Sequence, residues 1–323
     1  MIQCQALWYT ERGRIELRRT ALPPPEEGHV VIKAHYSGVS RGTERLIHQG
    51  LIPRSEYQRM RCPYQEGEFP NSVKYGYALT GEIMDGPRKS IGKKVFVLHP
   101  HQSFAKVDAA HVHQIPDGLP LRRAALAANM ETAVNVIWDT APSPGERILI
   151  IGGGVLGLLI AGLITISGRN EVTITDKNPA RASIAQLLGA KFTLPKIAPN
   201  EQQVIIHTSA TEIGLRQALN HAASDGRIVE ASWFGNREIT LPLGESFHSK
   251  RLRLISSQVG AIPPSHRDQW TFAKRMQKAL AHLEDERFDA LITGEINFDD
   301  APTTLPNALT NDSSGLMTVL HYL

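Results

Sequence analysis

The rhythm of apolar and polar positions changes once along this chain, near residue 120. Before that point, alternating runs such as "HVVIKAHYSG" and "KKVFVLHP" are separated by "LPPPEEGH" and "MDGPRKSIG", which are rich in Pro and Gly. Alternation of period two bounded by turn residues predicts the strands of a small β-barrel-like domain. After it, "LRRAALAANMETAVNVIWDTA" has helical spacing and ends in "PSPG". Strands and helices then alternate: "RILIIG", a glycine turn, "VLGLLIAGLITIS", "EVTITD", and "ARASIAQLLGA" opened by Asn178 and Pro179. "QVIIHT", "GLRQALNHAA", "GRIVEAS" and "LRLISSQ" continue the series. Such an order predicts an α/β fold, a parallel sheet with helices on both faces. A long amphipathic helix is expected over 266–285, and the tail ends in strand-like texture.

Length and charge narrow the class. A chain of 323 residues accommodates two domains, because single cores stop growing near about 250–300 residues. The net charge of +3 comes without a basic run, so neither a nucleic-acid partner nor a membrane surface is indicated. Two cysteines, Cys4 and Cys62, cannot build a disulfide framework or a four-cysteine zinc lobe. That usage suits a reducing cytoplasm, and the first residues lack the basic head and apolar block of a secretory signal. Residues 148–168 are apolar for about the length of a membrane span. Three successive glycines would weaken a single helix there, so the block reads as buried strand, turn and buried helix.

The turn itself carries chemistry. Gly152, Gly154 and Gly157 form G-x-G-x-x-G, with Val155 and Leu156 between the last two. The motif follows an expected strand and opens an expected helix, and the next strand ends in Asp176, 19 residues beyond Gly157. In that context it reads as a dinucleotide-binding turn. Gly152 permits the tight turn, Gly154 lets a pyrophosphate approach, and Gly157 allows close helix–strand packing. Helix N-terminal amides then face the phosphates. Asp176 would accept from ribose hydroxyls and repel a 2′-phosphate, which favours NAD; Lys177 and Arg181 lie near enough to keep NADP open.

"SGVSRGTERLIHQG", "KYGYALTGEI", "ETAVNVIWDTAPSPGERILIIGGGVLG" and "GRIVEASWFG" together resemble the medium-chain dehydrogenase/reductase family over nearly the whole chain. "SGVSRGTERL" and "DALITGE" look most like its bacteriochlorophyllide 3-hydroxyethyl dehydrogenase branch and the uncharacterised relatives of that branch. The resemblance implies a GroES-like β-barrel catalytic domain of residues 1–120 and 286–323, with a doubly wound Rossmann domain of residues 121–285. It also implies an active site in the cleft between domains, a small-molecule substrate and a homodimer. Hydride would pass between NAD(P) and an alcohol, carbonyl or activated alkene.

Many members hold a catalytic zinc through cysteine and a Gly-His-Glu segment. Here the first slot falls on Ser40 or Arg41, the second reads Gly76-Tyr77-Ala78, and the third falls near Ala128. Neither cysteine lies near these slots in sequence, so no zinc is expected. A developing oxyanion then needs hydrogen-bond donors and a proton source. Tyr77 either supplies these or fills the vacated volume. His99 and His101 share one face of a strand by period two and titrate near neutral pH in their ordinary state. Glu131 precedes Thr132, which by family position lies near the nicotinamide; Ser40, Thr43 and Glu44 are polar groups expected at the rim. A metal held by His99, His101 and Glu131 would rest on a weak constellation. Two other classes stay open: an NADPH-dependent quinone or enone reductase, and a non-catalytic dinucleotide-binding protein.

Overall fold

Strands β1 (Ile2–Tyr9) and β2 (Ile15–Leu22) form an antiparallel hairpin, paired from Ile2 with Leu22 to Tyr9 with Ile15. The computed structural model describes residues 1–11, 13–70, 72–310 and 314–323; residues 12, 71 and 311–313, all inside the expected β-rich domain, lie outside the described residues. Two units emerge: Met1–Ala128 with Leu283–Leu323, and Asn129–His282. The first contains β1, β2 and the long β3 (His29–Val39), followed by helix α1 (Arg41–His48). The short β4 (Glu66–Gly67) and β5 (Val73–Lys74) join the hairpin in a sheet of order β2-β1-β5-β4. β6 (Leu79–Asp85), β7 (Lys94–Val97), β8 (Phe104–Asp108) and β9 (His113–Gln114) complete its N-terminal strands, and the short helix α2 (Leu121–Ala124) follows.

β3 is the spine of this unit. It pairs antiparallel with β6, with β8 and with the C-terminal strand Met317–His321, which itself pairs parallel with Ile292–Asn297. Val31 and Ile32 of β3 are completely buried, as are Leu79 of β6 and Phe96 of β7. Close approach is bought with small residues: a Cβ on Gly81 of β6 would overlap the Lys33 carbonyl oxygen. A Cβ on Gly38 would stand 2.5 Å from the Ala125 carbonyl oxygen.

In the second unit, α3 (Ala127–Thr140, beginning in the last residues of the first) leads into β10 (Arg147–Ile151) and α4 (Val155–Ile166). β11 (Glu171–Thr175), α5 (Ala182–Leu187), β12 (Lys191–Thr193), β13 (Gln202–His207), α6 (Glu212–His221), β14 (Ala222–Glu230), β15 (Arg253–Ser256) and α7 (Phe272–His282) follow. All six strands are parallel, in the order β12-β11-β10-β13-β14-β15. Ile148, Leu149 and Ile150 have no exposed surface, as expected for a parallel strand covered on both faces. The protein is thus α/β, with a Rossmann-like parallel sheet and a separate, mainly antiparallel sheet unit. Strand order reverses between β10 and β13, which places a ligand crevice at their carboxyl ends.

The apolar block over 148–168 divides into β10, the glycine turn and α4, and among the described residues no helix is long and apolar enough to cross a membrane. The helix expected over 266–285 is shorter. It begins at Phe272 because the Thr271 hydroxyl accepts the Lys274 amide, an N-terminal cap that stops the helix from extending backward. Residues 179–181 form a 3₁₀ turn opened by the Asn178 cap, so that segment is helical in two pieces. The helix Ala301–Ala308 was masked in sequence by its two prolines and lack of a clear apolar stripe.

Gly81→Ala should lower stability by about 1–3 kcal/mol, the usual range for overpacking. Urea unfolding should show a lower midpoint at unchanged slope; an unchanged midpoint would contradict the tight β3–β6 crossing.

Candidate functional site

In the parallel-sheet unit the site is built from the glycine turn between β10 and α4. Gly152 has φ +115°, and a Cβ there would stand 2.8 Å from Thr208 Oγ1 and 2.9 Å from the Ser209 amide nitrogen. A Cβ on Gly157 would overlap the Gly152 carbonyl oxygen. Around Gly154, the residue that caps α4 without a side-chain hydrogen bond, a Cβ would meet nothing within 4 Å. The pattern is that of a turn closed on two sides and open on the third, where helix N-terminal amides can receive an anion. Gly154, Val155 and Leu156 are half-buried at this rim, while Gly152 and Gly157 are buried.

Asp176 follows β11 and ties itself to the turn. Its Oδ2 accepts the Gly153 amide at 2.7 Å, and its Oδ1 accepts the Asn178 amide at 2.8 Å. Each oxygen keeps a second lone pair for a ligand hydroxyl. Arg181 is buried against Gly153; burial lowers its pKa while Asp176 opposes that shift. Lys177 is exposed, and Thr132 is half-buried on α3. The residues present therefore fit a dinucleotide: a cradle for the pyrophosphate and a carboxylate at the end of the adjacent strand.

The antiparallel unit holds a second polar centre. Glu44, on α1, has no exposed surface. Its Oε1 accepts the Ser40 amide at 2.7 Å, and its Oε2 accepts the Tyr9 hydroxyl at 2.5 Å and lies 2.9 Å from His101 Nε2. His101 Nδ1 is 2.7 Å from Ser37 Oγ, which is 2.8 Å from the Tyr322 hydroxyl. Gly76 makes room for this arrangement: at φ +124° it needs no side chain, and a Cβ would stand 2.8 Å from the His101 ring. Burial, reinforced by Glu44, raises the Tyr9 phenol pKa well above its ordinary value.

Tyr77 sits above this centre. Its hydroxyl donates to Thr43 Oγ1 at 3.3 Å and also hydrogen-bonds Ser40, both at the start of α1. Burial pushes its pKa up to about 12, so the group is a protonated donor at neutral pH. Glu44 lies beneath the rim expected for it, because its carboxylate turns inward to three donors.

The two histidines part company. β7 ends at Val97, before either histidine, so His99 and His101 do not share a strand face. His99 is 3% exposed, its Nδ1–H donates to the Pro100 carbonyl at 2.9 Å, and Tyr64 lies beside its ring. Burial drives its pKa down to about 3, which corrects the expectation of titration near neutral pH. Glu131 faces Arg275 at 3.0 Å, and the same guanidinium bonds Asn135 and the carbonyls of Val259 and Ala261. Burial raises the Glu131 pKa against the opposing charge of Arg275. Its carboxylate is committed to joining α3 and α7.

The side chains at the expected zinc positions do not fit a catalytic zinc. Ser40 and Tyr77 hydrogen-bond one another, and Ala128 has no donor atom. Cys62, distant from these slots in sequence, does come close in space: its sulfur accepts the Gly76 amide. Burial raises the pKa of its thiol to about 12. Among the described residues no group of three or more His, Cys, Asp or Glu side chains is arranged to hold a metal ion. Tyr9, Ser37 and Tyr322 went unnoticed in sequence, where a serine at a core position of β3 was the one local signal, and Cys62 was set aside as too far from the slots in sequence.

The chain thus combines a dinucleotide-fold unit with a separate sheet unit that holds a buried polar centre. No family model matches the chain. An uncharacterized zinc-type alcohol dehydrogenase-like protein of Haemophilus influenzae is 24% identical over 340 residues, covering 93% of both chains. The 2-dehydro-3-deoxy-L-galactonate 5-dehydrogenase of Pseudoalteromonas atlantica is 26% identical over 202 residues, 53% of this chain and 56% of that protein. With that relative, as with others matched, the likeness spans about half of the relative's length. Among solved structures, L-idonate 5-dehydrogenase of Escherichia coli has TM-score 0.80 at 14% identity, covering 99% of this chain and 98% of its own. Acetophenone reductase of Geotrichum candidum in complex with NAD has TM-score 0.79 at 17% identity, covering 99% and 97%. These structures establish the fold. The sequence relatives support the medium-chain, zinc-type alcohol dehydrogenase-like family, in line with an NAD(P)-dependent dehydrogenase.

His99 predicts an acid response. Its folded pKa, about 3, lies below the unfolded value, so between the two the unfolded chain binds more protons. Stability is therefore whole above about pH 6.5 and falls as pH drops toward 3, by up to about 1.4 kcal/mol per unit. Between pH 7 and pH 5 the parent should lose about 2 kcal/mol more than His99→Gln in urea unfolding. Equal losses would contradict the buried neutral imidazole.

Proposed function

We propose that this chain is a zinc-independent oxidoreductase that passes hydride between NAD(H) and a secondary alcohol or its ketone. The observation that carries this is the pairing of the open Gly154 cradle with the Asp176 carboxylate, in a chain whose zinc positions read Ser40, Tyr77 and Ala128. The names of the sugar-acid dehydrogenases and the acetophenone reductase matched above support the alcohol and ketone class. A homodimer working in the cytoplasm completes the reading.

Bound NAD(H) supplies the hydride acceptor or donor at its nicotinamide ring. The chain's part is positioning and proton handling. The turn amides hold the pyrophosphate, and Asp176 takes ribose hydroxyls while its charge opposes the 2′-phosphate of NADP. Tyr77, kept protonated, donates a hydrogen bond to the substrate oxygen as charge develops there, and supplies the proton in the reductive direction. Thr43 and Ser40 orient that phenol and share its proton. Glu44 and His101 fix the start of α1 from beneath, so the hydroxyls at positions 40 and 43 stay in register with Tyr77.

Two variants test this. Asp176→Ala should weaken NADH binding about 10–100-fold, the loss of a charge-assisted hydrogen bond, with NADPH binding unchanged or improved in fluorescence titration. If both cofactors bound as in the parent, the role of Asp176 would fall. Tyr77→Phe should reduce ketone reduction by NADH at least about 100-fold, with NADH affinity preserved. Turnover at the parent rate across a panel of secondary alcohols and ketones would remove Tyr77 from the chemistry.

A further inference from the structure

β13 should be apolar to its end, since it lies inside a parallel sheet, yet it closes on His207, which has no exposed surface. The imidazole has a partner on each nitrogen. Nδ1 lies 2.6 Å from Glu230 Oε2, at the end of the neighbouring β14, and Nε2 lies 2.7 Å from Ser209 Oγ. Glu230 is itself aimed, because its Oε1 accepts the Ser232 amide at 2.7 Å. A carboxylate only accepts, so Nδ1 carries the proton and a neutral Nε2 is left to receive the Ser209 hydroxyl. We propose that Ser209, His207 and Glu230 form a second reactive centre, an activated serine that takes acyl groups from small carboxylic esters.

The geometry is that of a nucleophile, a base and a residue that orients the base, recognised by roles and distances rather than by position in sequence. Ser209 is half-buried at the carboxyl edge of the sheet, so its hydroxyl stands at the border between protein and solvent. Gly214, in the first turn of α6, keeps the pair clear. A Cβ there would stand 2.5 Å from Ser209 Oγ and 2.7 Å from His207 Nε2. Phe234 lies over the imidazole with ring centroids 6.1 Å apart and planes 23° from parallel, shielding that face. Thr211 supplies a donor next to the reacting oxygen. Its Oγ1 accepts the Gly214 amide and lies 2.9 Å from Ser209 Oγ, so its own proton can point toward that oxygen or toward one bonded to the carbon it attacks.

The steps balance without a further reagent beyond ester and water. Ser209 Oγ bonds to the ester carbonyl carbon while its proton passes to His207 Nε2. The carbon–oxygen bond to the alcohol then breaks, and His207 returns the proton to the departing oxygen. Water attacks the acyl-serine with His207 again as base, releasing the carboxylic acid and restoring the hydroxyl. Glu230 stabilises the imidazolium formed in each half. None of this draws on the hydride-transfer reading, so the two stand or fall separately.

The full-length protein is treated with diisopropyl fluorophosphate and followed by intact mass and peptide mapping, alongside hydrolysis of 4-nitrophenyl acetate. One adduct per chain is expected, on Ser209, with none in Ser209→Ala and with ester hydrolysis lost in the same variant. His207→Gln and Glu230→Gln should each be modified at least tenfold more slowly while melting within a few degrees of the parent. Should His207→Gln fail to fold, Glu230→Gln, which keeps the shape of the carboxylate, decides the question. An unmodified parent under conditions that fully modify trypsin, an adduct on another residue, or folded Glu230→Gln reacting at the parent rate would overturn the proposal.

Discussion

A carboxylate removed from water must be given other donors or it destabilises the fold by several kcal/mol. Glu44 is such a group, with no exposed surface and with the Ser40 amide, the Tyr9 hydroxyl and His101 around it. Satisfying it ties together parts of the antiparallel unit that are remote in sequence. β1 contributes Tyr9, α1 contributes Glu44 and its cap residue, and the segment after β7 contributes His101. The chain of hydrogen bonds then runs through Ser37 of β3 to Tyr322 beside the C-terminal strand. This polar centre does from within what a bound metal does in other proteins: it fixes several loops against one point.

Its consequence for chemistry is indirect. A clamped α1 holds Ser40 and Thr43 against Tyr77, and burial keeps that phenol protonated. The dinucleotide unit depends on a different constraint, steric rather than electrostatic. Gly152 and Gly157 can be nothing larger without displacing backbone, whereas Gly154 faces open space. One unit is organised by satisfying a charge and the other by leaving out side chains.

That difference explains what could be read in the sequence. The glycine turn and Asp176 are local, separated by one helix and one strand, so their spacing announces them. The alternation of strands and helices was legible for the same reason. The polar centre was not: Glu44 meets Tyr9 across 35 positions and His101 across 57, while Ser37 meets Tyr322 across 285. No local periodicity encodes such partners. His99 and His101 misled because period two holds only while a strand lasts, and β7 ends at Val97, before either histidine. Glu131 resembled a site residue until Arg275, 144 positions away, claimed it. Cys62 shows the reverse, a residue far from the active positions in sequence whose sulfur nonetheless accepts the Gly76 amide.

The central claim is that hydrogen bonding by Ser40, Thr43 and Tyr77 over the Glu44–His101 pair stands in place of a zinc site. Metal content of the purified, catalytically active protein, measured by inductively coupled plasma mass spectrometry after dialysis against a chelator, tests it most directly. The account predicts only traces of zinc, with ketone reduction by NADH undiminished. Close to one retained zinc per chain, or activity lost to the chelator and regained on adding zinc, would contradict it.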